Sequence, residues 1–180
     1  ELSKKNLSLY ELGHKLNFLI QLYNSKRLPK VLMLTGKKGI GKSTLVNHLL
    51  NYIYDKENYN LNEFLIDNQT TFYNNYHNNT FSNIIYLSGV NINNIKIDDI
   101  RNLKFNLMKS TISKNERFII LDDIENFNAN SLNALLKIVE EPPENTFFIF
   151  INNQSQPLIE TIYSRSLEIK IILTNDMRTR

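Results

Sequence analysis

The chain has 180 residues, of which 42% are hydrophobic and 22% are charged, the ordinary range for one globular domain or one domain with part of a second. It contains no cysteine, which excludes disulfides and cysteine zinc sites and favours a cytosolic protein. No apolar run approaches about twenty residues and no signal-peptide pattern occurs, so a membrane or secreted protein is not expected. The net charge of +3 permits a nucleic-acid neighbour without establishing one. Because the first residue is Glu1 rather than methionine, we expect a fragment of a longer protein.

The first part of the chain predicts a helix, a strand and a second helix. Apolar residues at helical spacing predict the first helix at about 12–23 and the second from the residues after position 41 to about 54. A short apolar run predicts the strand at 31–34. Residues 55–82 are polar and rich in Asn, and we expect them to form a long surface excursion without regular structure.

The remainder of the chain alternates strands with helices. Apolar runs predict strands at 84–87, 118–121, 147–151 and 167–171, and helical spacing predicts helices at about 97–107, 132–139 and 157–162. This alternation predicts an α/β fold with three layers, in which a parallel sheet of about five strands is flanked by helices. We expect this domain to span residues 1–173, with 174–180 as a linker or the beginning of a missing element.

A glycine-rich run between the first strand and the second helix predicts a phosphate-binding loop. It matches G-x-x-x-x-G-K-[ST] and reads Gly36-Lys37-Lys38-Gly39-Ile40-Gly41-Lys42-Ser43, followed by Thr44. Glycines let the backbone approach a phosphate closely, and a helix that begins there directs N–H groups at it. Lys42 would contact the β- and γ-phosphates, and the Ser43 hydroxyl would ligate Mg²⁺. The alternative is a plain glycine-rich turn, but the strand before it and the helix after it favour nucleotide binding.

Further polar residues follow the predicted strands, where open parallel sheets bind their ligands. In the pair Asp122-Asp123 one carboxylate can hold Mg²⁺ through water and the other can orient an attacking water, although such a pair also caps helices. An amide of Asn152-Asn153 can bond a γ-phosphate, although Asn pairs also form turns. Arg165 is either solvated or directed at a neighbouring subunit.

Three segments together resemble the ATPase domain of bacterial DNA polymerase III clamp-loader subunits, which belong to the AAA+ family of P-loop NTPases. They are Asp122-Asp123-Ile124-Glu125, Ser131-Leu132-Asn133-Ala134-Leu135-Leu136-Lys137 and Glu140-Glu141-Pro142-Pro143-Glu144-Asn145-Thr146. The resemblance covers nearly the whole chain and is weakest at 55–82. It implies a cytoplasmic replication protein with ATP and Mg²⁺ as cofactors and no zinc. The implied partners are the gamma/tau and delta subunits, the sliding clamp and primer-template DNA, with no membrane.

Two departures from the gamma/tau motor pattern favour a delta-prime-type subunit. The motor subunit has a Cys-rich zinc module after the phosphate-loop helix, and 55–82 lack Cys. Its acidic pair is Asp-Glu, whereas this chain has Asp122-Asp123. The gamma/tau subunit remains an alternative, as does a free-standing P-loop phosphotransferase. A lid of arginines is expected for that enzyme, and 55–82 contain none. A purely structural subunit with a vestigial nucleotide site is a further alternative.

The resemblance also implies a role for each matching residue. Lys42 would lie on the phosphates, Ser43 and Asp122 would hold Mg²⁺, and Asn153 would sense the γ-phosphate. Arg165 matches the family's Ser-Arg-Cys arginine, which reaches the ATP of an adjacent subunit, and Ser166 replaces the Cys. Asp123 stands where an efficient ATPase has Glu, and a displacement of about 1 Å can cost on the order of a hundredfold in rate. We therefore expect ATP binding with slow or no hydrolysis.

Overall fold

The computed structural model describes residues 6–89, 97–109 and 116–172, and the predicted linker at 174–180 lies outside these residues. Two compact units make up the described chain. The helical unit consists of the described residues within Glu1–Leu28, Gly39–Ser82 and Ile172–Arg180, and the sheet unit of those within 29–38 and 83–171.

The helical unit is built from three helices. They are α1 (Gly13–Asn24), α2 (Lys42–Tyr54) and α3 (Thr71–His77). The predicted apolar stripe of α1 is buried at Leu16, Leu19 and Ile20. Burial in α2 extends around most of the helix, so its polar residues Asn47 and His48 are enclosed as well. The positions of α1 and α2 therefore agree with the sequence prediction.

The prediction that 55–82 lack regular structure was wrong for α3. Thr70 caps this helix by accepting a 3.1 Å hydrogen bond from the Tyr73 amide, and Phe72 and Tyr76 bury the face that their four-residue spacing creates. The Phe72 ring stacks on Tyr76 at 5.8 Å and meets the edge of Phe81 at 5.0 Å. The Asn-rich composition concealed an aromatic core of this segment.

A buried histidine on α2 contacts the same segment. His48 is fully buried, and its Nδ1 lies 2.8 Å from the Tyr59 hydroxyl. Burial lowers the pKa of His48 from 6.5 to about 4, and a hydrogen bond with the Asn6 backbone acts in the opposite direction. Burial also raises the pKa of Tyr59.

The sheet unit contains five parallel strands in the order β2-β3-β4-β1-β5. The strands are β1 (Val31–Thr35), β2 (Ile84–Ser88), β3 (Arg117–Asp122), β4 (Thr146–Asn152) and β5 (Leu167–Lys170). Its helices are α4 (Ile97–Lys109), α5 (Ala129–Val139) and α6 (Glu160–Tyr163), with a 3₁₀ turn at Ile124–Asn126. The three central strands β3, β4 and β1 are almost entirely buried, as their continuous apolar runs predicted.

One face of this sheet packs on α4 and α5. Alternate strand residues and helix residues at three- and four-residue spacing form one core, which includes Met33, Ile119, Phe148, Ile100, Leu103, Leu132 and Leu135. The Asn128 side chain caps α5 through a 2.9 Å bond from the Ser131 amide. Two predicted elements are shorter than expected, because α6 begins at Glu160 rather than Pro157 and β5 ends at Lys170. Across the residues described, no helix has both the length and the apolar character needed to span a bilayer.

The buried histidine predicts a dependence of stability on pH. The folded chain releases the His48 proton at about pH 4 and the unfolded chain at about 6.5, so the unfolded state binds more protons between these values. The contribution of neutral His48 to the free energy of unfolding should therefore be fully present above pH 6.5. That free energy should fall by up to about 3 kcal/mol as the pH drops to 4. Urea denaturation across this range measures the effect.

His48→Gln should flatten that slope, whereas His14→Gln, which alters an exposed histidine, should leave it intact. Equal slopes in the wild type and His48→Gln would contradict the assignment.

Candidate functional site

The predicted phosphate-binding loop runs from the end of β1 in the sheet unit to the start of α2 in the helical unit. Its first amide, that of Gly36, donates a 3.1 Å bond to the Asn152 carbonyl of β4. Gly39 and Gly41 have φ values of 85° and 93°, a region that side chains with a Cβ rarely adopt. Gly41 is the N-cap of α2, and its carbonyl accepts the first helical bond from Leu45 at 2.8 Å. The glycines therefore serve the sharp turn for which the motif selects them.

The remaining loop residues differ in exposure. Lys37 and Lys38 are exposed, Ile40 and Ser43 are half-buried, and Lys42 and Thr44 are buried. Only 3% of Lys42 is accessible, unusual for a lysine on the first turn of a helix. The motif lysine is thus buried, while the two lysines before Gly39 are exposed.

Three site residues predicted from the sequence meet at the carboxyl edge of the sheet, where β1, β3 and β4 end. Register places Asp122 opposite Ile151 and Thr35 opposite Asn152, so the residues that follow β3 and β4 emerge side by side. We call Asp122, Asp123 and Asn153 the acidic edge. Each aspartate is less than 10% exposed. Parallel pairing has brought together residues about thirty positions apart in the sequence.

Asp122 ends β3 with both carboxylate oxygens in hydrogen bonds. Its Oδ2 accepts from the Tyr86 hydroxyl of the neighbouring strand β2, and its Oδ1 accepts from the Asp123 amide at 2.9 Å. Nδ2 of the Asn153 side chain lies 3.5 Å from the same Oδ1. These bonds orient a nearly buried carboxylate at the sheet edge.

Asp123 sits directly after the strand in a left-handed conformation with φ 51°. Its Oδ1 accepts a 2.8 Å bond from Asn153 Nδ2 and lies 3.5 Å from the Lys38 ammonium of the phosphate loop. Lys38 is largely exposed, so this ion pair contributes little to stability. The carboxylate is nevertheless occupied by two donors.

The two asparagines after β4 have different surroundings. Asn152 turns away from the acidic edge: its Nδ2 donates to the Tyr163 hydroxyl at 2.8 Å, and its Oδ1 accepts from the Gln154 amide. Asn153 contacts both aspartates through its side-chain amide. The structure therefore places Asn153, and not Asn152, beside the acidic pair.

Arg165 lies apart from these residues, at the amino edge of the sheet just before β5. Its Nε and Nη2 donate to Glu140 Oε1 at 3.0 and 2.6 Å, and its Nη1 donates to the Thr161 carbonyl at 3.1 Å. Strands rise about 3.3 Å per residue, so roughly 15 Å separate this edge from the acidic edge. Arg165 is not brought together with the other predicted site residues of the sheet unit.

Sequence reasoning missed three residues that contact the predicted site residues or the backbone beside them. Tyr86 bonds Asp122, Glu125 bonds the backbone that follows β4, and Glu140 pairs with Arg165. Glu125 and Glu140 both belong to segments that resemble the clamp-loader family. The motif therefore singled these residues out without indicating what they do. Nothing along the chain indicates that β2 lies beside β3, which is what brings Tyr86 to Asp122.

The donor chemistry of the acidic edge suits a magnesium ion. Mg²⁺ takes oxygen ligands and is commonly bound through one or two carboxylates together with water and substrate phosphates. Asp122 supplies such a carboxylate. Within 6–89, 97–109 and 116–172, no group of three or more His, Asp or Glu side chains could hold a metal without further ligands.

Comparison with protein families gives one extensive match. The family described as DNA polymerase III, delta subunit, matches residues 13–174. Among curated relatives, DNA polymerase III subunit delta' of Buchnera aphidicola subsp. Baizongia pistaciae is 32% identical over 73 residues, which are 41% of this chain and 22% of that protein. DNA polymerase III subunit gamma/tau of Mycobacterium bovis is 37% identical over 70 residues, 39% of this chain and 12% of that protein. The aligned segments are thus less than a quarter of either relative.

Solved structures with a similar fold include two from Thermotoga maritima. A DNA polymerase III gamma subunit-related protein has a TM-score of 0.61 at 22% identity, over 89% of this chain and 47% of that one. The RuvB Holliday junction branch migration motor has a TM-score of 0.53 at 18% identity, over 92% of this chain and 45% of that one. At these identities the likeness concerns the fold. It confirms the predicted α/β fold, a parallel sheet flanked by helices, and the family match confirms the resemblance inferred from the motifs.

The loop glycines predict two unequal losses of stability. An added Cβ at Gly39 meets nothing within 4 Å, whereas one at Gly41 lies 3.1 Å from Leu12 Cδ1. Both alanine variants should lose about 1–2 kcal/mol to left-handed backbone strain, and Gly41→Ala should lose more because Leu12 must shift. Urea denaturation without nucleotide measures both, and a larger loss in Gly39→Ala would contradict this packing.

Proposed function

The chain belongs to the DNA polymerase III delta subunit family, and we propose that it is a delta-prime-type clamp-loader subunit that binds ATP with Mg²⁺ and hydrolyses it slowly or not at all alone. The observation that carries this proposal is the intact phosphate-binding loop combined with an acidic edge whose second carboxylate is an aspartate. The family match and the Cys-free segment 55–82 support this subunit type over the gamma/tau motor, while the curated relatives include both types.

In this proposal the phosphate loop binds the triphosphate. Gly39 and Gly41 let the backbone turn around the phosphates, and the buried Lys42 supplies a positive charge to the β- and γ-phosphates. The Ser43 hydroxyl and the Asp122 carboxylate would hold Mg²⁺, with Tyr86 orienting Asp122. Bound magnesium would neutralise charge on the phosphate oxygens. Lys37, Lys38, Ile40 and Thr44 complete the loop.

Slow hydrolysis follows from the state of Asp123. A residue that orients the attacking water must reach it, and Asp is one methylene shorter than the Glu that this position has in motor subunits. The Asp123 oxygen also accepts from Asn153 and lies near Lys38, so a water would compete with both donors. Asn153, beside both aspartates, is the residue that we propose to bond the γ-phosphate.

Arg165 is proposed to act on the ATP of a neighbouring subunit. It lies at the amino edge of its own sheet, roughly 15 Å from the acidic edge, which favours a role outside its own site. The arginine borders a groove of about 440 Å³ with Lys30, Ser164 and Ser166, a surface open to a partner. Assembly would exchange the Glu140 carboxylate for a phosphate, since guanidinium groups pair with both.

The wider role of the subunit belongs to the whole complex. We propose that it works in the cytoplasm with the gamma/tau and delta subunits to load the sliding clamp on primer-template DNA.

Nucleotide binding can be tested by calorimetric titration of Mg-ATP. Lys42→Ala removes a charge-assisted contact worth about 1.5–3 kcal/mol, so affinity should fall at least about tenfold. Lys56→Ala, a charge-matched change of an exposed lysine over the Tyr52 ring, should leave affinity unchanged. Equal affinities in Lys42→Ala and the wild type would contradict the loop assignment.

The titration, together with assays of hydrolysis and of phosphate transfer, separates the alternative functions. A wild-type chain that binds no ATP is a structural subunit with a vestigial site. Rapid hydrolysis by the chain alone overturns the role given to Asp123, and transfer of phosphate to a nucleoside or small metabolite identifies a phosphotransferase.

The trans role of Arg165 predicts a split between two measurements. Arg165→Ala should lower the ATPase rate of the assembled complex on the order of tenfold, because an arginine in trans stabilises the transferring phosphoryl group. The subunit's own ATP affinity should not change. Arg101→Ala, which breaks an exposed ion pair with Asp98, is the matched control for a lost guanidinium. An unaltered rate with Arg165→Ala argues against the trans role.

A further inference from the structure

Glu125 is a buried carboxylate to which the proposed chemistry assigns no step. It lies in the 3₁₀ turn two residues after the acidic pair and is 3% exposed. Burying a carboxylate is costly unless hydrogen bonds compensate for the lost water. Its partners therefore indicate what the side chain is for.

Within the described residues, the hydrogen bonds of the Glu125 side chain come from the loop that follows β4. The backbone N–H of Asn153 donates to Oε1 and Oε2 at 3.1 and 3.2 Å, and the backbone N–H of Ser155 donates to Oε1 at 3.2 Å. The Ser155 hydroxyl donates to Oε1 at 2.8 Å. An acceptor-only carboxylate thus meets only donors, in bonds of the stronger, charge-assisted kind.

These bonds act on a loop that would not hold its shape unaided. Gln154, between the two bonded residues, has φ 57°, a left-handed conformation that costs about 1–2 kcal/mol outside glycine. Such a residue persists where its surroundings determine the backbone. Asn152 secures one side of the turn through the Gln154 amide, and Glu125 secures the other.

The residue so fixed is the one whose side chain contacts both aspartates of the acidic edge. Asn153 is bound to Glu125 through its backbone amide, and its side-chain Nδ2 lies 2.8 Å from Asp123 and 3.5 Å from Asp122. A shift of the Asn153 backbone would displace that side chain from both carboxylates.

We propose that Glu125 is a positioning residue that sets the Asn153 amide for contact with the γ-phosphate, and so sets the preference of the site for ATP over ADP. The proposal rests on the nucleotide-binding function proposed above. Glu125 itself touches neither phosphate nor metal.

The test compares ATP and ADP affinities of the 180-residue chain, each with Mg²⁺. Glu125→Gln places an N–H₂ group against the backbone amide of Asn153 and removes the negative charge that strengthens the other bonds, which loosens the loop at Asn153. The loss of one hydrogen bond worth about 1 kcal/mol should lower the ratio of ATP to ADP affinity about fivefold, while ADP affinity stays unchanged. Asn153→Ala should lower the ratio equally, and the double variant should lower it no further, since both changes remove the same contact. Glu144→Gln, the same chemical change at an exposed position, should leave the ratio at the wild-type value.

Ser155→Ala provides a milder variant should Glu125→Gln fail to fold. It removes only the 2.8 Å hydroxyl bond and should lower the ratio about twofold. A ratio that falls in Asn153→Ala but stays at the wild-type value in Glu125→Gln, or in Ser155→Ala where only that variant folds, overturns the inference and leaves the proposed function standing. An Asn153→Ala ratio equal to that of the wild type, or a wild type without preference for ATP, overturns the inference together with the γ-phosphate contact proposed for Asn153, whereas ATP binding itself stands or falls with the Lys42→Ala titration.

Discussion

Parallel hydrogen bonding among β3, β4 and β1 is the constraint on which the sheet-unit part of the candidate site depends. It fixes the register in which Asp122 lies opposite Ile151 and Thr35 opposite Asn152. The Gly36 amide continues the same ladder by one bond to the Asn152 carbonyl, so the phosphate loop leaves the sheet where β4 ends. A slip of one residue would turn each side chain to the opposite face and bury or expose the wrong set. Continuous burial of these three strands makes such a slip costly.

Once the register is set, polar contacts decide what the edge can do. Asp122 is oriented by a neighbouring strand, and Asn153 is oriented by a buried carboxylate in the turn after β3. Asp123 lies beside the side-chain amide of Asn153 and the ammonium of Lys38. These contacts are the basis on which we propose nucleotide binding with slow hydrolysis. Arg165 lies at the other end of the sheet, paired with Glu140, and its proposed role concerns a neighbouring subunit.

Sequence patterns predicted most of the fold and named the residues whose site role stays a prediction, and the misses have physical causes. Apolar runs and helical spacing located all five strands and every helix except α3, whose two buried aromatic residues lie among asparagines. The phosphate loop followed from its motif, because phosphate contact demands particular residues at fixed spacing. The roles of Tyr86 and Glu125 depend on which strands are neighbours and on how a loop folds back thirty residues later. Such long-range pairing leaves no periodic trace along the chain.

The aromatic rings of segment 55–82 have a consequence for the conditions that this part of the chain tolerates. Tyr59 and Tyr76 each bond a buried polar residue of α2, and Phe72 and Phe81 pack together beside them. Attachment by stacked rings and hydroxyl bonds involves no thiol, since the chain has no cysteine. Oxidants that act on thiols therefore have no cysteine target in these contacts.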